Sequence, residues 1–153
     1  MVKSITEKCS AKINIAIDVL GKYPNGYHEV RMIMTQVGIF DVITISLKDE
    51  KGIEIAGSDI NMPVDESNLA WKAANEFFKA IKFDGGCDIY IEKHIPMGAG
   101  MAGGSSDAAG VINGLNKLFD SPLSLEERMK MGKKLGADVP FCVMGGCALA
   151  EGI

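Results

Sequence analysis

A glycine-rich segment between an alternating strand and a helix constrains this chain more than any other feature. Residues 96–109 read Pro-Met-Gly-Ala-Gly-Met-Ala-Gly-Gly-Ser-Ser-Asp-Ala-Ala. Residues 87–92 before it alternate like a strand, and apolar residues recur after it at helical spacing, at Ala108, Val111, Ile112, Leu115, Leu118 and Phe119. Glycines let backbone N–H groups approach an anion, and a helix N-terminus adds about half a positive charge. The segment therefore predicts a phosphate-binding loop, in which Ser105 and Ser106 suit a helix cap or a phosphate contact.

Two common phosphate loops match these residues only in part. The Walker pattern is met by Gly98 and Gly103, but its lysine position holds Gly104. The dinucleotide pattern G-x-G-x-x-G is met by Gly98, Gly100 and Gly103, yet the preceding strand alternates instead of being apolar throughout. Asp120, near the distance expected for its acidic residue, ends a predicted helix. A glycine-rich turn without a ligand stays an alternative, although so many glycines cost backbone entropy.

Three parts of the chain together resemble the GHMP kinases, a superfamily named for galactokinase, homoserine, mevalonate and phosphomevalonate kinases: the glycine-rich segment, residues 11–21 with residues 25–29, and residues 135–141. The glycine-rich segment resembles their central motif. Residues 11–21 (Ala-Lys-Ile-Asn-Ile-Ala-Ile-Asp-Val-Leu-Gly), 25–29 (Asn-Gly-Tyr-His-Glu) and 135–141 (Leu-Gly-Ala-Asp-Val-Pro-Phe) are most similar to the branch that acts on 4-diphosphocytidyl-2-C-methyl-D-erythritol. The loop departs from the commonest sequence of the family motif at Met101 and Ala102, where Leu-Gly is usual. Alanine matters at that position only if the backbone needs a positive φ.

The resemblance implies a fold and a domain organisation. It implies the α+β fold of a GHMP-kinase N-terminal domain, which is ribosomal protein S5 domain 2-like and packs a mixed sheet against helices. Because members of the family have two domains and are clearly longer, residues 1–153 are expected to be the N-terminal ATP-binding domain, with the C-terminal domain absent from this chain. We therefore expect the chain to be inactive alone and to self-associate through the apolar surface left uncovered.

The pattern of apolar and turn residues predicts the elements of this fold. The predicted strands are 9–19, 30–37, 41–47, 52–56, 87–92 and a region 140–150 broken by Gly145 and Gly146. Helices are predicted to start at 65–68, after the glycine loop, and at a capping box of Ser124 and Glu127, the last one stopping near Gly136. On strand 9–19, alternation predicts one face with Ile13, Ile15, Ile17 and Val19, and an opposite face with Lys12 and Asn14.

Lys12 and Asp138 are the candidate catalytic residues. Phosphoryl transfer needs a group that orients or deprotonates the attacking hydroxyl and a cation near the transferred phosphoryl. By residue type alone, Lys12 fits a solvated strand face and Asp138 fits a loop cap, whereas the resemblance implies that they form the catalytic pair. Asp107 is a rival base, but its place early in a helix favours a charge that complements the helix dipole.

The resemblance also implies the ligands and their contacts. The cofactors would be ATP and Mg²⁺, which neutralises phosphate charge, with no residue assigned as a metal ligand. Asn14, Tyr27 and His28 would contact the acceptor, the latter two at its cytosine end, while Asn68 and Lys93 would lie near the adenine. The cofactor-binding loop would comprise Pro96, Met97, Gly98, Ala99, Gly100, Met101, Ala102, Gly103, Gly104, Ser105 and Ser106, with the methionines more typical of packing.

Composition excludes several other classes of protein. The net charge is −4 and no basic run occurs, which argues against nucleic-acid binding. Apolar runs are short and interrupted by charge, so a membrane span is not expected, and the first residues lack a signal core. With only 2 histidines, a histidine-rich zinc site is not expected. The four cysteines, none in a C-x-x-C pair, predict free thiols in the cytoplasm.

The resemblance implies an ATP-dependent kinase for the 2-hydroxyl of 4-diphosphocytidyl-2-C-methyl-D-erythritol, in the non-mevalonate route to isoprenoid precursors. One alternative is another GHMP kinase that acts on homoserine, a sugar or a mevalonate phosphate. A second is a non-catalytic nucleotide-binding module that uses the same loop.

Overall fold

A long ribbon of two antiparallel strands organises the sheet of this protein. The computed structural model describes residues 3–22, 24, 26 and 28–152. Strand β1 (Ser4–Lys22) pairs with β2 (His28–Lys48) along its whole length. On the other side of β2, β4 (Gly86–Glu92) and β5 (Cys147–Gly152) pair antiparallel with different parts of it, and β3 (Gly52–Gly57) is parallel to β4. The sheet is therefore mixed, as predicted.

Four helices complete the described part of the chain: α1 (Leu69–Ile81), α2 (Gly103–Leu118), α3 (Leu125–Leu135) and α4 (Val139–Met144). The side chain of Asn68 caps α1 by accepting from the N–H of Ala70 at 2.9 Å. The predicted capping box of Ser124 and Glu127 opens α3, and Gly136 is the C-cap residue of this helix. These local signals of helix starts are confirmed. Within the described residues, none of the helices combines the length and apolar character that a bilayer crossing requires.

The core lies between the sheet and the helices α1 and α2. Ile43 and Ile45 of β2 are fully buried, while Thr44 and Ser46 alternate with them and bond to Thr6 and Ser4 on the opposite face. The fully buried apolar side chains include Phe77, Ile43, Ile45, Ile89, Ile91, Ile112 and Leu115. Each burial stabilises the fold by about 1.5–3 kcal/mol. Helix α2 approaches β2 so closely that a Cβ at Gly114 would lie 2.9 Å from Ile45 Cδ1.

Gly38 does not separate two strands, contrary to the prediction. Ser10 pairs with Phe40 and Lys12 pairs with Gln36, so residues 37–39 of β2 lie opposite Ala11 alone. Gly38 sits in this bulge, and the strand continues through it. Gly38 therefore marks an irregularity within β2, and the prediction that a strand ends there is wrong.

The apolar run after Asp138 is also different from its prediction. Residues 139–144 form the short helix α4 and not the first part of a strand, and only Cys147–Gly152 is extended. Pro140 occupies the first turn of α4, where a missing N–H is tolerated. The helix is buried on several sides, at Val139, Phe141, Cys142 and Val143. It therefore has no polar face, and its sequence is an apolar run without helical periodicity.

The outer half of β1 exposes its apolar residues. Ile15 is the extra residue of a bulge between Asn14 and Ala16, so strict alternation is interrupted there. Ile15 is 61% exposed and Val19 63% exposed, and Ile13 and Ile17 are also exposed. The predicted single apolar face is thus broken, but the expected uncovered apolar surface is present.

Candidate active site

The glycine loop enters α2 through a left-handed backbone. Gly98 and Gly100 both have φ +71°, and Ala102, the N-cap residue of α2, has φ +58°. This conformation costs an L-residue about 1–2 kcal/mol, so the position where alanine replaces the usual glycine does need a positive φ. Ser105 and Ser106 lie inside α2, and the prediction that a serine caps this helix is wrong.

The loop forms one wall of a cavity of about 440 Å³, a volume in the range of small-molecule sites. Loop residues 96–104 line it together with the start of α1, at Asn68 and Leu69. Three charged residues are also part of the lining: Lys93, Asp107 and Asp138. Because the N-terminus of α2 opens at this wall, the cavity can accept an anion against unpaired backbone N–H groups.

Lys12 and Asp138 meet beside the loop. The ammonium of Lys12 lies 3.6 Å from Asp138 Oδ2, with the lysine side chain 7% exposed and the aspartate 37% exposed. The Lys12 ammonium also donates to Asn14 Oδ1 at 3.3 Å. Its backbone N–H donates to the carbonyl of Met101 at 3.1 Å, which ties β1 to the glycine loop. The ammonium is thus held at the edge of the cavity with a carboxylate partner that still meets solvent.

The carboxylate of Asp138 is left available by its helix. Asp138 is the N-cap residue of α4, yet its side chain makes no capping hydrogen bond within the described residues. Its backbone instead serves the helix, since its carbonyl accepts from the N–H of Cys142 at 3.1 Å. Residue type alone suggested that Asp138 caps a loop, but its side chain does not do so.

A second lysine, Lys93, lies between two buried carboxylates. Its ammonium contacts Asp41 Oδ2 at 2.5 Å and Asp107 Oδ2 at 2.8 Å. Asp41 also accepts from the backbone N–H groups of His94 at 2.5 Å and Ile95 at 2.8 Å. The three side chains come from β2, the residue after β4 and the second turn of α2. They fasten both stems of the glycine loop to the sheet.

Burial shifts the protonation of this cluster. It raises the pKa of Asp107 to about 7, an effect that Lys93 partly offsets and Asp41 reinforces. Burial alone would lower the pKa of Lys93, but the charges and hydrogen bonds of Asp107 and Asp41 outweigh it, and the pKa is raised. Lys93 therefore stays an ammonium at neutral pH, while Asp107 is poised to change charge there.

The family assignment rests on residues 68–146, which run from the cap of α1 to just after the end of α4. They match the description "GHMP kinases N terminal domain" and make up more than half of the chain.

The chain belongs to the GHMP kinases.

Two curated relatives of this GHMP kinase domain share a narrower name. A 4-diphosphocytidyl-2-C-methyl-D-erythritol kinase of Lachnospira eligens is 47% identical over 152 residues, which is 99% of this chain and 53% of that protein. Its counterpart from Lachnoclostridium phytofermentans is 50% identical over 149 residues, 97% of this chain and 51% of that protein. The chain thus spans about half the length of the curated relatives it matches.

A solved structure agrees with these relatives. The crystal structure of a 4-(cytidine 5'-diphospho)-2C-methyl-D-erythritol kinase superposes with a TM-score of 0.83 at 34% identity, covering 97% of this chain and 52% of that one. The α+β fold expected of a GHMP-kinase N-terminal domain is confirmed.

Several side chains predicted to contact the nucleotide already form hydrogen bonds or ion pairs within the protein. Asn68 lines the cavity, but its side chain is used in capping α1 and in donating to the Pro63 carbonyl at 2.7 Å. Lys93 lines the cavity as well, with its ammonium held by two carboxylates. Ser106 is buried, and its hydroxyl donates to the Ser10 carbonyl at 2.8 Å, which fixes α2 on β1. Its predicted phosphate contact would require this bond to break.

The predicted acceptor contacts are spread along the ribbon. Asn14 lies beside Lys12, as the shared strand face predicted. His28 is exposed at the start of β2, eight positions before Gln36, the pairing partner of Lys12, and at 3.3 Å per residue this is roughly 26 Å along the strand. Tyr27 lies outside the described residues.

The cluster of Asp41, Lys93 and Asp107 was not found from the sequence as a unit. Lys93 was assigned to the adenine and Asp107 to the helix dipole, and Asp41 was not singled out. One signal was present, because Asp41 is a charged residue inside the apolar stretch Ile39-Phe-Asp-Val-Ile43. A carboxylate in such a stretch is buried only when it is paired.

Proposed function

We propose that this chain is the N-terminal half of an enzyme that transfers the γ-phosphoryl group of ATP to the 2-hydroxyl of 4-diphosphocytidyl-2-C-methyl-D-erythritol. The reaction would belong to the non-mevalonate route to isoprenoid precursors, in the cytoplasm. The substrate assignment is supported by relatives at 47% and 50% identity that carry this name. Their greater length supports a second domain outside this chain.

One observation supports the chemistry above all others. The pair of Lys12 and Asp138, 3.6 Å apart, lies at the edge of a cavity walled by the glycine loop and the N-terminus of α2. A phosphate group bound at that N-terminus would lie in the cavity that Asp138 lines, and Lys12 is the partner of Asp138. Positioning of this kind is most of what phosphoryl transfer requires from a protein.

The two side chains have complementary roles in this proposal. Asp138 orients the 2-hydroxyl and accepts its proton as the oxygen bonds to the γ-phosphorus. The bond from that phosphorus to the β–γ bridging oxygen breaks, and ADP leaves. The Lys12 ammonium stabilises the negative charge on the transferred phosphoryl.

Magnesium fits the site as a companion of the nucleotide. Among the described residues, no three His, Cys, Asp or Glu side chains are grouped to hold a metal on their own. Magnesium in nucleotide enzymes keeps several waters and binds through substrate phosphates with one or two carboxylates. The ion would neutralise phosphate charge, and the glycine loop would supply the N–H groups that fix the β- and γ-phosphates.

The test is ADP release by the full-length natural protein with ATP, magnesium and a panel of acceptors. Turnover with 4-diphosphocytidyl-2-C-methyl-D-erythritol, and far less with homoserine, mevalonate or galactose, supports the proposal. Turnover with one of the other acceptors instead would keep the kinase and overturn the substrate. The 153-residue chain, assayed in parallel, is expected to be inactive alone.

We also propose that the 153-residue chain self-associates through the outer half of β1. Ile15, Ile17 and Val19 are each more than half exposed on one strand, and apolar patches of this kind mark interaction surfaces. Light scattering should show a mass that rises with concentration, and replacing Ile15 and Ile17 by threonine should reduce this rise. A constant monomer mass over a wide concentration range would contradict it.

A further inference from the structure

The buried cluster beneath the glycine loop carries unequal charges. One ammonium, Lys93, faces two carboxylates, Asp41 and Asp107, and the last is only 3% exposed. With all three groups ionised, the cluster would hold one excess negative charge out of water, which is strongly unfavourable. Protonation of one of the two carboxylates would therefore remove this excess charge.

Hydrogen bonding singles out Asp107. Three donors converge on Asp41: the Lys93 ammonium and the N–H groups of His94 and Ile95. Within the residues that the structure describes, Asp107 accepts only from Lys93, through Oδ2. Its Oδ1 is buried without a hydrogen-bond partner in the part of the chain that the structure describes. The uncompensated charge thus falls on Asp107.

The other ionisable groups around Asp107 do not relieve this charge. The thiols of Cys9 on β1 and Cys142 on α4 are neutral, because burial raises the pKa of both and the charge of Asp107 raises it further. Asp138 lines the same cavity and adds negative charge, with Lys12 as its own partner. Lys93 is the one cation in hydrogen-bond contact with Asp107 among the described residues, and it is shared with Asp41.

The position of the cluster links this charge to ligand binding. Asp107 lines the nucleotide cavity, and a Cβ at Gly103, the first residue of α2, would lie 3.3 Å from the Lys93 ammonium. A polyphosphate held at this helix end would therefore meet the field of the cluster at short range. An ionised Asp107 would repel it, whereas a protonated Asp107 leaves Lys93 and Asp41 as a neutral pair.

We propose that Asp107 is a positioning residue of the nucleotide site that holds Lys93 in place and is protonated when a polyphosphate is bound, so that nucleotide binding takes up a proton from solvent. The inference rests on the proposed function in that the cavity binds a nucleotide. It is independent of which acceptor is phosphorylated. Because the pKa of Asp107 is raised by burial to about 7, the effect falls at and above neutral pH.

The experiment is titration calorimetry of the full-length natural protein and its Asp107→Asn variant with magnesium and ADP between pH 6.5 and 8.5. ADP and magnesium change their own ionisation equally in both titrations, so the difference between the two proteins reports on Asp107. The wild-type dissociation constant should rise relative to that of the variant by several-fold over this range, with roughly tenfold per pH unit as the limit for one linked proton. At pH 8, buffers of different ionisation enthalpy should show that the wild type takes up as much as about one proton more.

Each outcome decides a different question. Equal pH dependence in the two proteins, with binding intact, would overturn this inference and leave the proposed function standing. No binding of ADP at any pH would overturn both. If Asp107→Asn does not fold, the wild-type titrations in two buffers still decide, since heats that are independent of the buffer at pH 8 would contradict proton uptake.

Discussion

The two lysines beside the cavity differ in how tightly their carboxylates hold them. Lys93 contacts two buried carboxylates at 2.5 and 2.8 Å. Lys12 lies 3.6 Å from a single carboxylate that is 37% exposed. The charges around Lys93 hold the stems of the glycine loop. The ammonium of Lys12 and the carboxylate of Asp138 remain able to contact a substrate. Both lysine side chains are 7% exposed, so the difference in role comes from the number of their carboxylate partners and from how deeply those carboxylates are buried.

Removing the looser lysine should have a large effect on the rate and a small one on stability. Lys12→Met in the full-length natural protein should lower kcat for ADP release by about 10²–10³-fold, because a preorganised cation no longer stabilises the transferred phosphoryl. Its partner Asp138 is solvated, so the free energy of unfolding should change by no more than about 1 kcal/mol. A stability loss of several kcal/mol would show that Lys12 is structural and would remove the contrast.

Removing the tightly held lysine should have the opposite signature. Lys93→Met leaves two buried carboxylates without their cation and should destabilise the fold by about 3–5 kcal/mol in urea unfolding. Lys48→Met is a matched control, since Lys48 also sits between two carboxylates, Glu54 at 2.7 Å and Asp88 at 2.6 Å, which are both exposed. That variant should lose about 1 kcal/mol or less. Equal losses in the two variants would contradict a structural role for the buried cluster.

The buried cluster should also make stability depend on pH. In the folded protein the pKa of Asp107 is raised to about 7, whereas an unfolded aspartate titrates near 3.9. The native state therefore binds more protons between these values, and its stability falls as pH rises through this window. Thermal unfolding at pH 5 and pH 8 should show that Asp107→Asn gains stability relative to the wild type at the higher pH. A difference that is constant with pH would contradict an ionising Asp107 in the native state.

The smallest expected effect concerns the loop that both lysines flank. Ala102→Gly relieves a left-handed alanine at φ +58° and should stabilise the fold by about 0.5–1 kcal/mol after the entropy cost of glycine. Gly100→Ala, at φ +71°, is the reverse change and should cost about 1 kcal/mol. Urea unfolding of both variants measures the pair, and shifts of the same sign would contradict the assigned backbone strain.

Elements with local signals could be predicted from the sequence. The cap of α1 at Asn68 and the capping box of α3 depend on residues within one helical turn, and both were found. The bulge at Gly38 depends on Ala11, which is distant in sequence, so a glycine alone could not distinguish it from a strand end. Helix α4 was missed because it is buried on several sides and shows no polar face.

The sequence also identified only some of the residues of the candidate site. Lys12 and Asp138 were paired by resemblance to a family, although 126 positions separate them, and the structure brings them together. Asp41, Lys93 and Asp107 come from three different elements, and no local pattern joins them. Only the packing of α2 on the sheet brings these charges within hydrogen-bond distance, and no single stretch of sequence encodes that packing.

The most direct test of the division between the two lysine sites is the kcat of Asp138→Asn in the full-length natural protein, with saturating ATP, magnesium and 4-diphosphocytidyl-2-C-methyl-D-erythritol. Loss of the group that orients and deprotonates the hydroxyl should lower kcat by about 10²–10⁴-fold, while ADP still binds and the protein remains folded. A kcat within about threefold of the wild type would contradict the assignment of chemistry to the Lys12 and Asp138 pair.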